Sequence, residues 1–201
     1  MKNIPADCIN HFAGITAGSV LDKLRDERPD AKTYAQEGFL TLFAPPDGTD
    51  VSLVERFALA VFTLALHGVE DMAAFYREGL VGSGADASLA AAVSRAAEAN
   101  VGSGPYGRYP AGPLSAEDEP GPEYSVDEDT ASALGKRLAA AFAHAHMLVY
   151  HPRDSSAAAL QRLLDAGWSD AGIVTISQLI TFLAYQVRLV QGLRAMARSA
   201  G

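Results

Sequence analysis

The stretch DAGIVTISQLITFLAYQVRLVQGLRAMA, residues 170–197, constrains the fold more than any other part of the chain. Ile173, Ile176, Ile180, Leu183, Val187 and Val190 recur there at alternating steps of three and four. That is the period of one helix face, and a stripe this wide must be covered by other elements. Ser169 stands where an N-cap belongs. No run of strand-like alternation competes with such patterns anywhere in the chain, so the expected class is all-α, in a single domain over 1–201.

Caps and breakers divide the remainder. Ser19 opens a helix that stops before Pro29, and Asp30 is expected to cap the next one, which ends at the turn residues Pro45, Pro46, Asp47 and Gly48. Ser52 and Glu55 form an S-x-x-E capping box for a helix running to about Leu80, with Val54, Phe57, Val61, Leu64 and Gly68 on one face. An alanine-rich helix follows near residue 88. Residues 100–125 hold many glycines and prolines without periodicity, and connections of that length are uncommon unless they are functional or mobile. The plain alternative is a surface excursion packed by Tyr106, Tyr109 and Tyr124. A second box, Ser125 and Glu128, starts a helix striped by Leu134, Leu138, Phe142, Ala145 and Val149 that stops at His151-Pro152. Ser155 or Ser156 caps a short helix closed by Gly167. A long, serine-capped helix in each half permits two helical-hairpin repeats.

The formal net charge is -8, which leaves no basic stripe for a phosphate backbone and excludes a nucleic-acid partner. Cys8 is the sole cysteine, so there is neither an internal disulfide nor a multi-thiolate metal site. The N-terminal residues lack an apolar run of signal-peptide length, and no stretch reads as a membrane span. A soluble cytoplasmic protein without a membrane partner is expected. The glycine-rich stretches GSGADAS and GSGPYG lack the strand and the G-K-[ST] of a phosphate loop.

Pro152-Arg153-Asp154, Gly167-Trp168-Ser169-Asp170, Arg188 and Gly192-Leu193 together resemble the tail of the carboxymuconolactone decarboxylase and alkylhydroperoxidase D superfamily, in its peroxidase-related branch. The segment 52–80, with Glu55-Arg56 at its start and His67-Gly68 inside it, resembles that family's thiol helix. The resemblance implies an alkylhydroperoxidase D-like helical domain assembled as a homodimer or up to a hexamer. It also implies a Cys-x-x-Cys pair with a proton-relaying His and Glu. Here the thiol positions fall on Val69 and Met72, the His on Tyr76, the Glu on Phe57, and a further His on Asp71. Every redox position is replaced, so thiol-dependent peroxide turnover is not expected.

The polar residues left over give the candidate site. Glu55, His67 and Tyr76 are the candidate acid–base groups, although Glu55 also suits the N3 place of its capping box. His67 lies four residues from Asp71 and three from Glu70, a spacing at which helical side chains meet. Arg188, Arg153 and His144 are the candidate substrate-binding groups, directed at a small anionic molecule, and Arg188 could pair with Glu55. His144 and His151 would share a helix face while His146 points elsewhere, and H-x-H without an acidic neighbour is no metal site. Neither cofactor nor metal is expected. Three functions remain open: a non-redox pocket for a small molecule, a cofactor-free lactone decarboxylase or isomerase, and a non-enzymatic oligomeric or ligand-binding protein.

Overall fold

The structure, a computed structural model, describes residues 4–46 and 50–199. Asp47 and Gly48, read above as part of a turn, lie outside them. The fold is all-α. Among the described residues the helices are α1 (Cys8–Ala13), α2 (Val20–Asp26), α3 (Pro29–Phe43), α4 (Leu53–Leu66), α5 (Glu70–Gly82), α6 (Ala87–Asn100), α7 (Glu128–Tyr150), α8 (Ala157–Asp165) and α9 (Asp170–Ser199).

α4 is the central element. Phe57, Ala58, Leu59, Ala60, Val61, Phe62, Thr63 and Leu64 are buried in succession, because α5, α6, α7 and α9 surround the helix on all sides. Its capping box is complete: the Ser52 hydroxyl accepts from Glu55 N–H and the Glu55 carboxylate accepts from Ser52 N–H.

The helix expected to continue to Leu80 instead ends at Leu66. Gly68 adopts φ +67°, with Gly68 N–H donating to Ala65 O and Val69 N–H to Leu64 O, a left-handed C-terminal stop available at low cost only to glycine. A new helix then starts at Glu70, so the apolar step onto Gly68 marked a helix end rather than a helix face. His67 and Asp71 consequently stand on different helices.

Two further caps differ from expectation. Pro29 occupies the first helical position of α3, where its missing N–H removes nothing, and Asp30 is inside the first turn. Asp127, not Ser125, caps α7, its carboxylate accepting from Thr130 N–H. Ser125 is engaged elsewhere, as described below. α1, capped by Asp7, had no counterpart in the sequence reading.

α9 contains an 18-residue window of mean hydropathy 1.5, which by length and composition alone suffices to cross a membrane. The expectation that no stretch is so apolar is therefore corrected. Here Ile176, Leu179, Ile180, Leu183, Val187 and Val190 are buried, and the helix packs against α1, α3, α4 and α7.

Candidate functional site

The region to which the sequence resemblance assigned the thiol positions is filled with side chains. Phe57, Val69, Met72 and Tyr76 are all buried. Tyr76 sits inside an aromatic cluster, its ring centre 4.9 Å from that of Phe43 and 5.8 Å from that of Phe12. Its hydroxyl donates to Gln186 Oε1 at 2.8 Å, and burial raises its pKa well above that of free tyrosine, so it is a fixed donor and no base. Cys8 is fully buried, its thiol 3.7 Å from Ala35 O, and burial pushes its pKa up to about 11. A thiol held in that form is a poor nucleophile.

The remaining sequence candidates are dispersed. Glu55 completes its capping box and pairs with Arg137 Nε at 2.9 Å, rather than with Arg188. His67 is the half-buried C-cap of α4; burial first, and then the Arg188 guanidinium, lower its pKa. Arg188 is exposed and donates to Ala184 O, one turn back. Arg153 donates to Glu117 O and lies over the Tyr109 ring at 4.3 Å. Of the six residues singled out, only His144 lines the principal cavity.

That cavity, of about 690 Å³, lies between residues 106–124 and the α7–α8 corner. Ala140, Ala143, His144 and Met147 of α7 line it, with Ala159, Arg162 and Leu163 of α8 and His151 and Asp154 between those helices. Its roof is the glycine- and proline-rich segment, which is ordered by two sets of contacts. At the neck, Asn100 Nδ2 donates to Ser125 O at 2.9 Å and Ser125 N–H donates to Asn100 Oδ1 at 3.0 Å, so the segment leaves and returns at one point.

Further along, the tethers converge on residues 150–154. Gly102 N–H donates to the Tyr150 hydroxyl at 3.0 Å, Tyr106 N–H to Tyr150 O at 2.9 Å, and Arg108 N–H to Asp154 Oδ1 at 2.9 Å. The Tyr106 ring stacks on His151 with centres 5.1 Å apart. Gly107, at φ +111°, lies so close to Asp154 that a Cβ would meet the carboxylate at 2.9 Å. A loop of this length without a core of its own needs such external anchors to hold one conformation.

The anchor is also the polar centre of the site. His151 caps α7 with φ -139° and ψ 57°, so the chain leaves the helix and turns back. Asp154 Oδ2 then lies 2.9 Å from His151 Nδ1, and His151 Nε2 lies 3.2 Å from His146 Nδ1. The Arg108 N–H holds Asp154 below the usual carboxylate range, against the opposing effect of burial, and His151 adds to it. An ionised carboxylate only accepts, so His151 carries its proton on Nδ1. Burial, with His151 second, brings the His146 pKa down to about 4. His146, expected to point away from the others, is thus the inner end of an Asp154–His151–His146 line. The spacing of His151 and Asp154 in HPRD was the available signal, but only the fold-back after Tyr150 turns it into a contact.

Two further polar groups belong to the cavity wall. His144 Nε2 lies 2.9 Å from Ser177 Oγ of α9, its Nδ1 has no partner, and burial lowers its pKa. The Tyr124 hydroxyl is also buried without a partner, and burial pushes its pKa up to about 12. Among the described residues no group of three or more His, Cys, Asp and Glu side chains is arranged to hold a metal ion.

In comparison with known proteins, no protein-family model, no curated protein and no solved structure matches the chain.

Proposed function

We propose that this is an alkylhydroperoxidase D-like protein of the peroxidase-related branch that has no dithiol chemistry and binds a small molecule in the cavity under segment 106–124. The observation that carries the reading is the contrast in filling. The region that would house the thiols is packed with Phe57, Val69, Met72 and Tyr76, whereas a cavity of about 690 Å³ with partnerless buried polar atoms in its wall lies beside α7. The cavity wall sets Arg108, Arg162, His144, His151 and Asp154 beside an apolar floor from α7 and α8, and concave sites with placed polar groups are the usual form of small-molecule sites. Homo-oligomerisation and a cytoplasmic location belong to the same reading, through the sequence resemblance.

A second reading, cofactor-free lactone decarboxylation or isomerisation, draws on one observation: the carboxylate–imidazole pair Asp154–His151 lines this cavity. Such a pair can move a proton once a substrate reaches the ring.

The test is a fragment screen by ligand-observed NMR on the intact chain and on Ala143→Phe, which places a ring in the cavity. Fragments that bind the native protein should lose binding in the variant. A hit set indifferent to Ala143→Phe would sink the pocket reading. Hydroperoxide consumption with a dithiol reductant should match that of Cys8→Ala, and Cys8-dependent turnover would reverse the non-redox assignment.

A further inference from the structure

The class of ligand follows from what the cavity wall offers and leaves unused, and the argument rests on the pocket reading above. Ser177 Oγ has no hydrogen-bond partner among the described residues besides His144 Nε2. Either tautomer of the His144 ring satisfies that one hydrogen bond. His144 is only 7% exposed, and its Nδ1 is left without a partner in the wall. The Tyr124 hydroxyl, a donor, is likewise buried without a partner. A buried polar atom left unpaired is costly, and a ligand atom that pairs with it recovers that cost.

At the mouth, Arg108 on the roof and Arg162 on α8 line the same cavity. Among the described residues neither guanidinium has a carboxylate within ion-pair distance or any other hydrogen-bond partner, although Glu119 and Glu123 also line the mouth. Asp154 offers little to a ligand cation, since its two oxygens already accept from Arg108 N–H and His151 Nδ1. Ala140, Ala143, Met147 and Leu163 supply an apolar floor.

We propose that the cavity takes a small organic monocarboxylate, its oxygens held by Arg108, Arg162 and the Tyr124 hydroxyl, and its apolar body on the α7–α8 floor. Guanidinium suits a carboxylate because its fork can donate to both oxygens. The free glutamates at the mouth weigh against polyanions, whose outer charges they would repel, so a single compact anionic group is favoured over a di- or triphosphate.

Isothermal titration calorimetry at fixed ionic strength tests this with benzoate and its neutral isostere benzamide as probes, on the intact chain. Benzoate should bind at least about tenfold more tightly than benzamide, the factor expected from one charge-assisted hydrogen bond. In Arg108→Ala/Arg162→Ala, both positions being exposed, the preference should fall to about twofold or less while benzamide binding is retained. Tyr124→Phe, which removes one donor and keeps the ring, should weaken benzoate by about fivefold with unchanged circular dichroism. Equal affinities for the two probes, or a preference that survives the double arginine variant, overturn the carboxylate assignment. If those results come with binding that Ala143→Phe abolishes, the pocket reading stands alone. If neither probe binds, the assignment is overturned, and the fragment screen decides the pocket separately.

Discussion

The two regions that could have held chemistry are built from opposite materials. Around Tyr76, α1, α3, α4 and α5 converge rings from Phe12, Phe43, Phe57 and Phe75, and the Tyr76 hydroxyl donates to Gln186, whose own Nε2 is buried without a partner. Beside His144 the cavity is faced by Ala140, Ala143 and Met147 of α7, and the opposite wall is the glycine- and proline-rich segment. Interiors fill when enough side-chain volume meets from several helices, and they stay open where small residues face a strap held at a few points. The difference teaches that filling is decided by the volume of the side chains that meet: aromatic rings from the surrounding helices close the space around Tyr76.

The largest expected effect breaks the filled region. Tyr76→Ala should destabilise the protein by about 3–5 kcal/mol in urea unfolding, as truncation of a buried ring does. A cost below about 1 kcal/mol would show that the region is not packed as described. Acid comes next. His146 has its folded pKa depressed to about 4 against an ordinary value near 6.5, so the unfolded chain binds the extra proton first. Its neutral form stabilises the fold fully above the unfolded pKa, and that contribution falls away as pH drops from about 6.5 to about 4, by on the order of 3 kcal/mol. Asp154, also depressed, adds a loss at still lower pH, as the pH falls from the unfolded carboxylate range through its folded pKa. Thermal melts of the native protein and of His146→Phe between pH 7 and pH 4 should diverge, with the variant losing less.

Asp154→Ala sharpens the comparison from the other side. It removes the acceptor for Arg108 N–H and His151, a loss of about 1–3 kcal/mol that should be spent locally. Amide exchange should quicken for residues 102–119 and remain unchanged in α4; equal acceleration in both would mean that the roof is not a separate unit. The smallest effect is that of Glu55→Ala, about 1 kcal/mol for the reciprocal cap together with the partly exposed Arg137 pair. The cavity should bind its fragments unchanged in that variant, because Glu55 does not line it.

Much of this architecture could be read from local chemistry. Ser19, Ser52, Ser156 and Ser169 accept from N–H groups at the helix starts they marked, since a cap satisfies orphan donors within three residues and needs no distant partner. The stripe on α9 and the stop of α7 at His151 held for the same reason. The failures share another. The Gly68 stop looked like one more apolar step because glycine satisfies both patterns, and Asp127 displaced Ser125 because Ser125 is tied to Asn100, twenty-five residues away. Glu55 and Tyr76 were chosen as chemistry and are engaged instead with Arg137 and Gln186, partners 82 and 110 residues distant. No one-dimensional pattern encodes those distances.

By itself, then, the sequence determined the helical class, the four serine-capped helix starts and the presence of a single thiol, because propensity, capping and residue identity act over a few positions. Tertiary structure decided which polar residues meet, which region filled, and where the chain kept an open space. Those outcomes depend on side-chain volumes and hydrogen-bond partners supplied from remote helices, and they are settled only when the helices pack.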